Sequence, residues 1–307
     1  MSYTRSTVLC EPATVCAFPA PVFRERRSNV VQYNYYEDRY VDVNGIRTRY
    51  WDEGEGPETA LLVHGLGGSV EIWACTIPHL CRRMRTVALD VVGFGRTGKP
   101  DGAYTYPFFA AFLRDFVRVM GLDRFHLFGH SLGGGIALQF VSSYPGLAER
   151  LVLVGSGGLG RQFSQFLRLL TLPGLGEYLT RPTPKRPEEA LNGLVFDPSI
   201  CDEVVAGRIN ELAAIPGNRE SILRTLRANA TVFNGTARSI SGIHLEGIDN
   251  KSLVFWGDRD EVIPFRYAEP GLKKLRNHEL VMYRNCGHCP MIELADDFNA
   301  RVDSFLE

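Results

Sequence analysis

Residues 127–135 read LFGHSLGGG, an apolar run that reaches Ser131 and then passes into glycine. A serine hydroxyl is a weak nucleophile at neutral pH and needs an exposed position and a base beside it. The longer stretch FHLFGHSLGGGIALQF (125–140) reads as strand, sharp turn and helix. Such a turn holds the serine in a strained conformation. It is tolerable only if the positions two before and two after lack bulk, because they approach neighbouring backbone. Gly129 and Gly133 stand there. The geometry also aims the first N–H groups of the helix at the space above Ser131, where the positive end of the helix dipole can hold an oxyanion.

Working outward, TALLVHG, RTVALD, FHLFGHS, ERLVLVGS, KSLVFWGD and HELVMYRN are short continuous apolar runs. Runs of that kind suit strands buried on both faces of a parallel sheet. The patterns VEIWACTIPHLCRRM, PFFAAFLRDFVRVMGL and SLGGGIALQFVSSY separate several of them as helices. Alternation of this sort predicts an α/β fold with helices on both sides of the sheet. RYVDVNGIRTRYWDEG places β-prone runs around Asn44-Gly45, a dipeptide that accepts positive φ at both turn positions, so a hairpin is expected. From near Val154 to near Ser252 no clear strand occurs. DEVVAGRINELAAI and NRESILRTLRANATVF read as helices within that gap. A structureless loop of that length is implausible, so the gap predicts an inserted helical cap. The expected organisation is an N-terminal extension over 1–37, a core from 38–158 and 251–307, and the cap over 159–250.

If Ser131 is a nucleophile, an acid and a histidine should follow it in that order. LVFWGDRDEVIP offers Asp258 and Asp260 just past a strand, and MYRNCGHCPMIE offers His288 just past the last one. A carboxylate there orients the imidazole, which takes the serine proton. LLVHGLGGS supplies a second oxyanion donor from an earlier strand end. Gly65 allows close approach there, and the Leu66 N–H acts beside that of Leu132.

These pieces resemble the α/β-hydrolase fold, and the resemblance covers residues of about 38–307. It rests on His64-Gly65-Leu66-Gly67-Gly68, Asp90-Val91-Val92-Gly93-Phe94-Gly95-Arg96-Thr97, Gly129-His130-Ser131-Leu132-Gly133, Gly257-Asp258-Arg259-Asp260 and Gly287-His288. It implies a mostly parallel eight-stranded sheet with the cap after strand 6. It also selects Asp260 over Asp258 as the triad acid. Serine, not aspartate, at the nucleophile position disfavours the dehalogenase and epoxide hydrolase branches, which form an alkyl ester on a carboxylate. The implied function is a serine hydrolase of small to medium apolar esters that works through an acyl-enzyme, with neither metal nor organic cofactor.

Gly207-Arg208 resembles the cap arginine motif of meta-cleavage-product hydrolases, serine enzymes of this fold that cleave C–C bonds. That makes C–C hydrolysis of a diketone or dienoate the alternative, with Arg208 clamping a substrate carboxylate; the plainer reading pairs Arg208 with Glu211 at i,i+3. This chain has Cys289 where those enzymes commonly carry an aromatic. A further alternative is a small-ligand receptor that retains the triad.

Other signals have plainer readings. Gly155-Ser156-Gly157-Gly158-Leu159-Gly160 spells a dinucleotide fingerprint, yet the stretch holding Glu177 is broken by Pro-Gly, so no second strand is expected there. Cys286 and Cys289 form a C-x-x-C with no second pair to complete a zinc site. His130 is expected to pack or to bond backbone, His64 to shape the oxyanion loop, and Asp90 to fix a loop. The aromatic cluster Tyr104, Tyr106, Phe108, Phe109 and Phe112 is expected mostly in the core.

The 307 residues are 45% apolar and 22% charged, with a formal net charge of −1. That charge argues against a nucleic-acid partner, which would demand a cationic surface. No window approaches the roughly 18 uncharged apolar residues of a membrane span. Seven cysteines, an odd number, favour a reducing compartment, so the cytoplasm is the expected location. A small-molecule substrate is the expected partner, and the oligomeric state is not legible in the sequence.

Overall fold

The computed structural model describes residues 34–160, 162–230 and 242–307. The sequence expectation for most of the N-terminal extension therefore lies outside the described residues. Eight strands form one sheet: β1 (Arg39–Val43), β2 (Ile46–Glu53), β3 (Thr59–Val63), β4 (Arg85–Leu89), β5 (Phe125–His130), β6 (Ala148–Val154), β7 (Lys251–Gly257) and β8 (His278–Tyr283). Their order is β1-β2-β4-β3-β5-β6-β7-β8. β1 and β2 are the expected hairpin, with Asn44 at φ 53° and Gly45 at φ 82°. β2 meets β4 antiparallel, and every later pairing is parallel.

The sheet has a core on each face because successive side chains of a strand point to opposite sides. Leu61, Val63, Val87 and Leu89 join one cluster, and Ala60, Leu62 and Ala88 join the other. Helices cover both faces. They are α1 (Ile77–Leu80), α2 (Tyr106–Val119), α3 (Leu132–Ser143), α4 (Gln165–Leu169), α5 (Leu175–Leu179), α6 (Pro187–Ala190), α7 (Glu203–Ala213), α8 (Asn218–Asn229), α9 (Phe265–Leu272), α10 (Pro290–Glu293) and α11 (Ala295–Leu306). α2 starts where Thr105 accepts a hydrogen bond from the Phe108 N–H, and it buries Tyr106, Phe109, Leu113 and Phe116. α4 to α8 all fall between β6 and β7.

One expectation is corrected. VEIWACTIPHLCRRM is not a single helix but a 3-10 turn over Val70–Trp73 followed by α1. Pro78 has no N–H, and its ring would clash with the carbonyl of Ala74 in a continuous helix, so the chain restarts there.

Arg49 on β2 carries a side chain that is 1% exposed. Its Nε donates to Asp38 at 2.6 Å, Nη2 to Glu71 at 2.8 Å and Nη1 to Asp90 at 3.2 Å. Asp90 also accepts from the Val70 and Arg96 amides, each at 2.8 Å. One buried cation thus ties the hairpin to the loops that follow β3 and β4. Asp90 has the loop-fixing place expected of it.

The chain leaves β3 towards β4 on one side and returns to β5 on the other, so the strand order reverses around β3. In open α/β sheets the crevice at the carboxyl ends of the strands, at such a reversal, is where ligands bind. His64 to Leu66 follow β3 directly, and Ser131 follows β5, its neighbour.

Candidate active site

Ser131 adopts φ 53° and ψ −116°, outside the regions that L-residues populate freely. Strain of this kind costs on the order of 1–3 kcal/mol and persists only where surrounding contacts over-determine it. Here the Ser131 N–H donates to the Val154 carbonyl at 2.9 Å, and the Ser131 carbonyl accepts from Gly157 at 2.8 Å and Gly134 at 3.0 Å. The two flanking glycines have the clearance role the sequence implies. A Cβ on Gly133 would lie 2.2 Å from the Val63 carbonyl oxygen, and one on Gly129 would lie 2.5 Å from that of Gly133.

The loop after β3 reaches the serine through Gly65, where an added Cβ would stand 2.9 Å from Ser131 Cβ. His64 fixes this loop. The Val91 N–H donates to its Nε2 at 2.9 Å, so Nδ1 carries the proton and donates to the Gly65 carbonyl at 2.7 Å. Leu66 is half-buried and packs against Leu170, Leu223 and Leu226, and Leu132 opens α3 as a buried residue.

Asp260 follows β7, and its Oδ1 accepts from the Val262 and Ile263 amides at 2.9 and 2.8 Å. Its Oδ2 lies 2.7 Å from His288 Nδ1, and both side chains are buried. Asp258 instead lies beside Arg259 with its side chain 36% exposed. His288 Nε2 is buried and has no hydrogen-bond partner among the described residues. The structure therefore brings Asp260 and His288 into contact, while no hydrogen bond joins His288 Nε2 to Ser131. His130, the neighbour of Ser131, has its ring centroid 4.7 Å from that of His288 and its Nε2 3.1 Å from the His288 carbonyl. It bonds backbone, as expected.

Arg208 is half-buried on α7. Its Nη1 donates to Glu211 at 2.9 Å, the i,i+3 pairing, and its guanidinium lies 5.1 Å from the centroid of the Tyr35 ring. Glu211 also pairs with Arg96. Glu177, the acidic residue of the apparent dinucleotide fingerprint, sits on α5 and not on a strand, bonded to Arg227 at 2.8 Å. Cys286 and Cys289 are free and buried, and burial pushes both thiols up, away from reactive thiolate. A cavity of about 500 Å³ between Gly158–Gly160 and α9 has none of Ser131, Asp260 or His288 in its lining.

Glu58, His126 and Glu149 bring three donor atoms within 4.8 Å of one another at the opposite, amino-terminal end of the strands. The two carboxylates flank different ring nitrogens, at 3.6 and 3.9 Å, and Glu149 also pairs with Arg124. A cation held by one nitrogen would face only one of them closely.

Burial sets the pH response of the fold. It pushes His64 down to about 4 and His130 well below the ordinary imidazole range. Their unfolded values near 6.5 are higher, so the unfolded chain binds more protons between about 4 and 6.5. Stability therefore falls as pH drops through that window. Asp90 opposes this, because burial raises it to about 6 and the folded chain takes up its proton first. Melting at pH 7 and pH 5 is expected to show a loss of stability in the wild type and a smaller loss in His64→Gln.

Comparison with known proteins settles the family. A family model described as alpha/beta hydrolase fold matches residues 60–294. The chain belongs to the alpha/beta hydrolase fold family. Over 278 residues it is 30% identical to a 2-hydroxy-6-oxo-6-(2'-aminophenyl)hexa-2,4-dienoic acid hydrolase of Metapseudomonas resinovorans, covering 88% of this chain and 91% of the relative. The crystal structure of a putative lipase from Acinetobacter baumannii AYE superposes with a TM-score of 0.72 at 26% identity, covering 88% of this alpha/beta hydrolase and 90% of that chain. A meta-cleavage product hydrolase from Pseudomonas fluorescens IP01 shares the fold with a TM-score of 0.73 at 24% identity, covering 90% of this chain and 98% of that one. No helix among the described residues is long and apolar enough to cross a membrane.

Proposed function

We propose that this alpha/beta hydrolase cleaves carboxylic esters of small to medium apolar acids, with Ser131 as nucleophile, His288 as base and Asp260 as the acid that orients it. The observation that carries this reading is the contrast between the two nitrogens of His288. Nδ1 is held by Asp260 at 2.7 Å, while Nε2 is buried and unpaired beside a strained serine turn. With its proton on Nδ1, the ring presents Nε2 as the basic nitrogen. Ser131 Oγ attacks the ester carbonyl and passes its proton to Nε2. The carbonyl electron pair moves onto oxygen, held by the Leu66 and Leu132 N–H groups. Collapse expels the alcohol, which takes the proton from Nε2, and water repeats the sequence to free the acid.

The helices between β6 and β7 act as the cap. Its Leu170, Leu223 and Leu226 meet Leu66 of the oxyanion loop, and a Cβ on Gly67 would stand 2.8 Å from Ile222 Cδ1. An apolar cap seated against the oxyanion loop favours an apolar acyl group. Turnover of p-nitrophenyl esters of graded chain length tests the reading, and no turnover of any of them refutes it.

A second reading is C–C hydrolysis of a dienoate, favoured by the relative of that named activity. In it Arg208 releases Glu211 and clamps the substrate carboxylate. The Arg208→Ala variant separates the two. Ester cleavage predicts p-nitrophenyl ester turnover within about twofold of wild type. C–C cleavage predicts loss of dienoate turnover by about 100-fold or more, the size of a lost charged hydrogen-bond pair.

A further inference from the structure

The loop that carries His288 is tied to a short piece of the cap, Leu194 to Phe196, from several directions. The His288 N–H donates to the Leu194 carbonyl at 2.7 Å. Gly287 lies directly against Val195, so that a Cβ there would stand 2.8 Å from Val195 Cα. Glu293, the last residue of α10, then spans both sides with one carboxylate. Its Oε1 accepts from the Gly287 N–H at 2.8 Å and from the Cys286 thiol at 3.5 Å, and its Oε2 accepts from the Phe196 N–H at 2.8 Å.

Charge pairing does not explain this carboxylate. No cation bridges to it among the described residues, and burial raises its pKa although the amides that face it pull the other way. What the site uses is shape. A carboxylate offers two oxygens, each able to accept more than one hydrogen bond, and can therefore hold amides on two separate segments at fixed spacing. A neutral amide side chain keeps one acceptor but turns an N–H₂ toward whichever segment it does not serve. The three donors come from residues two before His288, one before it, and from the cap.

We propose that Glu293 is a positioning residue: its carboxylate pins the His288 loop to Leu194–Phe196 of the cap, so that the imidazole stands in register with Ser131 only while that piece of cap is seated. This rests on the reading of Ser131 and His288 given above. It assigns Glu293 no contact with substrate, and so predicts an effect on turnover and not on substrate binding.

Glu293→Gln tests it, with kcat and KM measured on a p-nitrophenyl ester per folded molecule, the folded fraction being counted from thermal melts. Misplacing a catalytic group by about 1 Å costs on the order of 100-fold in rate. The expected result is a kcat lower by about 10- to 100-fold with KM changed less than threefold, and partial recovery in Glu293→Asp, which keeps both acceptor oxygens. Gly287→Ala is the second variant. It drives a methyl against Val195 without touching Glu293, and should lower kcat in the same way. If Glu293→Gln does not fold, Gly287→Ala and Glu293→Asp decide the matter. A lower melting temperature with kcat per folded molecule within twofold of wild type, or a raised KM with kcat kept, overturns the pin. A wild-type protein that turns over no ester removes the underlying reading instead, which is a different result.

Discussion

Ser131→Ala is expected to abolish ester turnover, lowering kcat by about 10⁴-fold or more while the protein melts within about 2 °C of wild type. The size follows from the proposed mechanism, in which serine, histidine and acid act as a unit, so that removing the nucleophile loses nearly all that the unit contributes. On that mechanism the remainder comes from the proposed oxyanion donors and from binding alone, roughly 10³-fold over water. The stability expectation has a separate basis. Ser131 holds φ 53°, and its hydrogen bonds to Val154, Gly157 and Gly134 are made by backbone, so alanine keeps every one of them. The strained turn therefore stays closed without the hydroxyl. Steady-state kinetics with a thermal melt on the same sample checks both halves.

The second large effect falls on stability. Arg49→Met is expected to cost about 3–5 kcal/mol, because removing the cation leaves the buried Glu71 and Asp90 carboxylates without their guanidinium and Asp38 with Arg96 alone beside it. Asp90 is fully buried, so its share of that cost is not relieved by water. In a chain of this size the loss corresponds to a fall of order 10 °C in melting temperature. The exposed Arg118 on α2 is the control, and Arg118→Met is expected to stay within about 0.5 kcal/mol. Because Asp90 also holds the Val70 and Arg96 amides, the Arg49 variant should further loosen the loop after β3. Hydrogen exchange at residues 64–70 would register that loosening.

The buried place of Arg49 is not legible in the sequence. It stands in TRYWDEG on a hairpin strand crowded with charged residues, where an arginine reads as solvent-facing. Its partners at 38, 71 and 90 come from three separate segments, and no local spacing links them. Glu293 is hidden for the same reason, since its amide donors lie at 196 and 287. The parallel strands were legible because burial on both faces writes itself as an unbroken apolar run. The Ser131 turn was legible because its demand for clearance falls on fixed neighbours, Gly129 and Gly133. Asp258 and Asp260 both stand just past a strand; the resemblance selects Asp260, and Oδ2 of Asp260 is the one that lies on His288. The break at Pro78 was visible in the letters but outweighed by the apolar periodicity around it, where the lost N–H should have decided.

Arg208 marks the limit of motif reading. The letters Gly207-Arg208 carry a resemblance to a carboxylate clamp, yet the guanidinium is paired with Glu211 and lies over Tyr35. The clamp reading requires it to leave that partner, so the Arg208→Ala comparison uses an ester and a dienoate side by side.

The proposed function requires Ser131 to be an activated nucleophile. Its most direct test is to label the folded protein with a fluorophosphonate, digest it and locate the adduct by mass spectrometry. One adduct per chain is expected, on the peptide that contains Ser131, and it should disappear when His288 is replaced by alanine. No adduct on the wild-type protein, or an adduct on another residue with Ser131 unmodified, would contradict it.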